Sequence, residues 1–122
     1  MAAGLVGFTA TAILVNSTLT NNTAAGGNGS TGGNGFGGGL YLAGGSGALH
    51  SVTVTLNVAL SGAGGTAATK KLDGKPGQGE GGGTYIDAAA LVSLDAFTRD
   101  HVLNNTASTG KSNILGSYKL IR

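Results

Sequence analysis

The chain of 122 residues has no cysteine, no tryptophan, one proline and only 5% aromatic side chains. Without cysteine there is neither a disulfide framework nor a thiolate metal site, and nothing follows about compartment. With so few rings and with 25 glycines, a conventional three-layer core lacks the bulk to fill it. Charge is scarce too: 10% of residues are charged, and none precedes Lys70. The net charge of +2 rests on scattered Lys and Arg rather than a basic stripe interleaved with aromatics, which argues against nucleic acid as a partner. No apolar run spans a bilayer, and Met1 to Phe8 has no basic residues ahead of an apolar core, so no membrane insertion is expected. The natural reading is a mature region or a fragment of a longer chain.

Glycine at this level normally signals disorder, but 40% hydrophobic residues with so little charge is the reverse of the disordered composition. Repetition reconciles the two. Gly37-Gly38-Gly39-Leu40-Tyr41-Leu42 returns as Gly81-Gly82-Gly83-Thr84-Tyr85-Ile86, and self-similarity at this spacing means stacked units that bury their apolar sides against one another. Leu14 to Ala24 overlays Leu49 to Ala59, and more loosely Leu91 to Thr98 continuing to Ala107. The shared frame is a strand, an Asn, then a small turn. Period-two alternation puts Val52, Val54 and Leu56 on one side of a strand and Ser51, Thr53, Thr55 and Asn57 on the other. Phe8, Ala10 and Ala12 against Thr9 and Thr11 repeat the pattern. Leu91 and Phe97 complete the expected inward set.

The glycine runs 26–39, 62–65 and 74–83 are expected to supply positive-φ corners between strands. Residues 62–83, with Lys70, Lys71, Asp73, Lys75, Pro76 and Glu80, read as a flexible insert loop within a single module over 1–122, and 104–122 as its closing segment. The one helical candidate is Asp87 to Leu91.

The Gly-Gly-Gly-x-Tyr-x phrase, the run Asn16 to Ala24 and the ending Asn104 to Tyr118 resemble the right-handed parallel β-helix repeats of large bacterial surface and secreted proteins, such as polymorphic outer-membrane proteins, autotransporter adhesins and planctomycete repeat proteins. The resemblance implies an all-β, three-sided solenoid, here the terminal coils of a larger array, at the cell surface or outside the cell. It also implies an Asn ladder, with Asn22 and Asn57 as members and Asn105 as a third, less regular one.

Little in the sequence carries chemistry. Polysaccharide lyases of the pectate-lyase type share the resembled fold but need clustered acids and a basic residue. The only close set here, Asp87, Asp95, Asp100 and Arg99, reads as solvated turn and strand-edge charge. His50 and His101 lack metal-ligand spacing. The glycine runs lack both a phosphate-loop ending and the regular aspartates of calcium repeats, so no cofactor or metal is expected. Asn-x-Ser/Thr triplets at Asn16, Asn21, Asn28 and Asn104 are what an Asn/Ser/Thr-rich chain contains by chance. The sharper candidate is an outward threonine array, Thr9/Thr11, Thr18/Thr20 and Thr53/Thr55, suited to carbohydrate or ice, although threonine is also the common outward residue of a half-buried strand. The expectation is a non-catalytic structural or interaction module, a stalk, adhesin or assembly surface. Its partners are further coils or a second copy, with a carbohydrate or cell-surface ligand as the alternative and a polysaccharide-degrading enzyme third.

Overall fold

A computed structural model describes residues 3–5 as backbone, and residues 10–65 and 74–121 in full. The chain is all-β with parallel sheets. A first set of strands comprises β1 (Ala3–Leu5), β2 (Thr11–Val15), β3 (Thr18–Thr20) and β4 (Thr23–Ala25). A second comprises β5 (Gly35–Phe36), β6 (Leu40–Leu42), β7 (Gly45–His50), β8 (Thr53–Thr55) and β9 (Val58–Leu60). A third has β10 (Gly79–Glu80), β11 (Thr84–Ile86), β12 (Ala90–Asp95), the helix α1 (Ala96–Asp100), β13 (Val102–Leu103) and β14 (Thr106–Ala107), and the chain closes with β15 (Ile114–Leu115) and β16 (Lys119–Ile121). Each strand pairs with its counterpart one repeat away, in the orders β1-β6-β11-β15, β2-β7-β12-β16, β3-β8-β13, β4-β9-β14 and β5-β10. The repeated glycine phrase sits in register with itself, Leu40 opposite Thr84 and Tyr41 opposite Tyr85.

Parallel register lines like side chains into rows. Leu14, Leu49, Leu94 and Leu120 form one row. Leu19, Val54 and Val102 form a second, and Ala24, Ala59 and Ala107 a third. Leu42, Leu49, Val52, Val54 and Leu94 are fully enclosed, and burial of each such side chain stabilises by roughly 1.5–3 kcal/mol. Size-matched rows let successive layers interlock without voids. One polar misfit stands among them: the buried Thr84 hydroxyl has no hydrogen-bond partner, at the place that Leu40 and Ile114 fill in the neighbouring repeats.

The expected inward set needs three corrections. Leu56 is 54% exposed, because it occupies a left-handed corner at φ 57°. Such a residue shifts the pleat by one, so Val54 and Asn57, three apart, both point in. Asn57, read as outward, is 0% exposed. Leu91 is 77% exposed: the register sets Leu94, not Leu91, opposite Leu49, so the third copy lies three residues out of phase with the expected overlay. Phe97 is 44% exposed because it belongs to α1. The helix therefore lies at 96–100, while Asp87 to Ala89 is a turn leading into β12.

Three buried asparagines and the exposed Asn113 form a continuous chain of amides. Asn22 Nδ2 donates to Asn57 Oδ1 at 3.0 Å, Asn57 Nδ2 to Asn105 Oδ1 at 3.0 Å, and Asn105 Nδ2 to Asn113 Oδ1 at 3.1 Å. Each acceptor oxygen also takes the backbone N–H of the preceding member. Nδ2 of Asn57 and of Asn105 reach the Leu19 and Val54 carbonyls, both at 2.9 Å. Asn113 was not legible in advance, since no strand of the common frame precedes it. The glycine phrase makes room for this chain: a Cβ on Gly39 would lie 2.9 Å from Asn57 Nδ2, and one on Gly83 2.7 Å from Asn105 Nδ2.

Most glycines serve close approach rather than positive φ. Among the described residues only Gly37, Gly45, Gly81 and Gly116 have φ > 0, while Asn16, Asn21, Ser51, Leu56 and Asn104 hold the other left-handed corners. Gly62 and Gly77 instead sit against carbonyl oxygens that a Cβ would approach to 2.1 and 1.9 Å. Both ends of the 62–83 segment are consequently tied in, with Gly62 N bonded to Gly33 O, Gly77 N to Gly62 O and Gly35 N to Gln78 O. Residues 66–73, with Lys70, Lys71 and Asp73, lie outside the described residues.

Candidate interaction surfaces

The outward threonines divide into unequal groups. Thr18 lies opposite Thr53 and Thr20 opposite Thr55, a two-by-two block on one sheet face. Thr11 stands on a different sheet, its hydroxyl 3.1 Å from that of Ser46, and Thr9 lies outside the described residues. In the third repeat Leu103 takes the place of Thr55, so the block does not extend. The adjoining corner is more unusual. Asn21, Leu56 and Asn104 all have φ 57°, and asparagine tolerates that conformation whereas leucine is strained in it by about 1–2 kcal/mol. Leu56→Asn is therefore expected to raise stability by about 1 kcal/mol in chemical denaturation. A loss of several kcal/mol, the signature of a core leucine, would contradict the corner assignment.

The acids flagged in the sequence are engaged structurally. Helix α1 replaces the tight corner that Ser51 makes in the preceding repeat, and two side chains take up the backbone groups it displaces. Asp95 caps the helix by accepting from Thr98 N at 2.8 Å and, through its other oxygen, from Ser51 N at 2.9 Å. Thr98 Oγ1 accepts from Val52 N and donates to Leu49 O. The Thr98 hydrogen bonds, with smaller help from Ser51 N–H and the charge of His50, hold the Asp95 carboxyl below its usual range. A depressed folded pKa adds stability above the unfolded value and loses it as pH falls through the folded one. Exchange protection of the Ser51 amide is thus expected to decline below about pH 4, while that of Thr53, bonded to Ser17 O, stays constant. Parallel behaviour of the two amides would show that the carboxylate does not hold the corner.

Arg99 and Asp100 pair with each other at 2.9 Å on the surface. His101 stacks on Phe97 at 3.8 Å, with Nδ1 2.7 Å from the Phe97 carbonyl oxygen. Asp87 Oδ1 accepts from Ala89 N at 3.1 Å and shapes the turn before β12. Among the described residues no three His, Asp or Glu side chains cluster as a metal site would need, and no helix is long and apolar enough to cross a membrane.

Sequence reading missed a ring cluster. Phe36, Tyr41 and Tyr85 meet on the outer surface, with Phe36–Tyr85 centroids 4.6 Å apart and Tyr41–Tyr85 5.1 Å apart. The signal was available: Tyr41 and Tyr85 hold the same place in the glycine phrase, and register stacks them. Partial burial raises the Tyr85 phenol above its ordinary pKa, with the charges of Asp87 and Glu80 and the neighbouring Tyr41 adding to the effect. Beside Tyr85 a cleft of about 400 Å³ is lined by Asp87, Ala88, Leu115 and Ser117, and it continues past Ala88, Ala90 and Ser117 into a second of about 460 Å³ bounded by Leu91, Tyr118 and Lys119. Comparison of the chain with protein-family models, curated proteins and solved structures finds no match in any of the three.

Proposed function

We propose that this chain is a non-catalytic structural and assembly module, a right-handed parallel β-helix whose repeats stack on further repeats of the same kind, within a bacterial surface or secreted protein. The observation that carries the reading is the pairing of each strand with its counterpart one repeat away, in every sheet. A stack of this kind grows by adding layers, and its terminal strands present unpaired N–H and C=O groups to the next layer. Among the described residues β2, β3 and β4 each stand at the edge of their sheet. Their sequences, TAILV, TLT and TAA, contain none of the charges or prolines that normally protect an edge. The opposite end carries Lys111 and Lys119. The use of Asp95 to cap α1 and hold Ser51 N supports a scaffold over an enzyme. The resemblance of the repeats to those of bacterial surface and secreted proteins supports the location.

Sedimentation velocity tests the assembly. The chain is expected to associate with rising concentration, and Thr11→Lys together with Thr18→Lys, which place charges beside the β2 and β3 edges, is expected to abolish association. A monomer up to about 1 mM, unaltered by the lysines, would overturn the proposal.

A further inference from the structure

We infer that the groove along the turn between β11 and β12 binds a neutral saccharide chain, with Tyr85 and Tyr118 as ring platforms at its two ends and Asp87 as a hydroxyl acceptor. The two clefts share Ala88, Ala90 and Ser117 and so form one groove of about 400 and 460 Å³ in its two parts, each within the size range of small-molecule sites. The groove exists because the third repeat departs from the second. Leu42 and Gly45 are separated by two residues, whereas their partners Ile86 and Ala90 are separated by three. The extra residue bows Asp87 to Ala89 outward into a wall.

The chemistry of the lining selects the ligand class. The axial C–H bonds of a pyranose carry partial positive charge and pack on the negative face of an aromatic ring. Tyr85 is held by Phe36 and Tyr41, so little side-chain freedom remains to be lost on binding. Asp87 engages one carboxylate oxygen in its own turn and keeps the other for a hydroxyl. Ser93 and Ser117 also line the groove. Asp87 and Lys119 place one charge of each sign along it, which favours a neutral chain over a polyanion. A peptide added as a strand finds no edge here, since β11 is paired with β6 and β15, and β12 with β7 and β16. The groove is separate from the threonine block and from the β2, β3 and β4 edges, so this inference stands or falls independently of assembly.

Titration with cellotetraose, chitotetraose and, as the anionic control, tetragalacturonate decides the matter. It is followed by tyrosine fluorescence, which tryptophan does not mask in this chain, and by amide shifts. One of the neutral tetrasaccharides is expected to saturate the protein and to shift the amides of Ala88, Ser117 and Tyr118. Ala88→Arg, an exposed turn substitution that fills the groove without touching the core, is expected to weaken binding by about tenfold or more. Asp87→Asn is expected to weaken it less. Absence of saturable shifts up to about 10 mM, tighter binding of tetragalacturonate than of either neutral chain, or unchanged affinity in the folded Ala88→Arg protein would each overturn the inference.

Discussion

Replacing Asn57 with alanine is expected to destabilise the protein by roughly 3–6 kcal/mol, a large part of the 5–15 kcal/mol that holds a typical domain together. The side chain accepts from both the backbone and side-chain nitrogens of Asn22 through Oδ1, and donates through Nδ2 to Leu19 O and Asn105 Oδ1. Alanine removes these four hydrogen bonds from a site that is 0% exposed, at about 0.5–1.5 kcal/mol for each bond lost, while Asn105 Oδ1 keeps the Asn57 backbone N–H. Asn57→Asp separates the contributions. It is isosteric and keeps the acceptor, but it loses both donors and places a carboxylate against two oxygens. It is expected to be strongly destabilising at neutral pH and to recover partly when protonated. Chemical denaturation of the two variants checks this. A loss below about 1 kcal/mol for Asn57→Ala would mean that water replaces the amide and that the ladder contributes little.

Val54→Asp is expected to cost on the order of 5 kcal/mol and to leave the module unfolded or nearly so at room temperature. Val54 is fully enclosed between Leu19 and Val102 in its row, and no cationic group lies in that row to pair with a carboxylate. Thr53→Asp, one residue away on the outward face, is expected to cost less than about 1 kcal/mol. The contrast is the informative quantity. Equal shifts in melting temperature would contradict the enclosure of Val54 alone, and a larger shift for Thr53→Asp would mean that the faces of β8 are reversed.

The all-β character, the stacking of repeats and part of the buried rows were legible in the sequence from alternation and internal repetition, whereas the parallel arrangement was implied by the resemblance to β-helix repeats. The glycine phrase stacks on itself. The alternation of Thr53, Val54 and Thr55 sets which residue of β8 is enclosed. The resemblance implied a ladder at the recurring Asn after a strand, where an amide serves both its neighbours along a stack. The alternation depends on neighbours in the chain, and the stacking on simple periodicity.

What the tertiary structure alone decided is everything that depends on phase. Leu56 and Leu91 carry the same apolar side chain as Leu49, and only the left-handed corner at 56 and the three-residue displacement of the third copy turn them outward. Asn113 joins the ladder because the closing segment returns beneath Asn105, a contact between neighbours in space with no strand to announce it. The glycine runs read as positive-φ corners because backbone freedom is a local property. Many of them are instead held in close backbone contact with the adjacent repeat. Alternation determines a face only until the next corner, and the conformation of that corner is chosen by the layers above and below it.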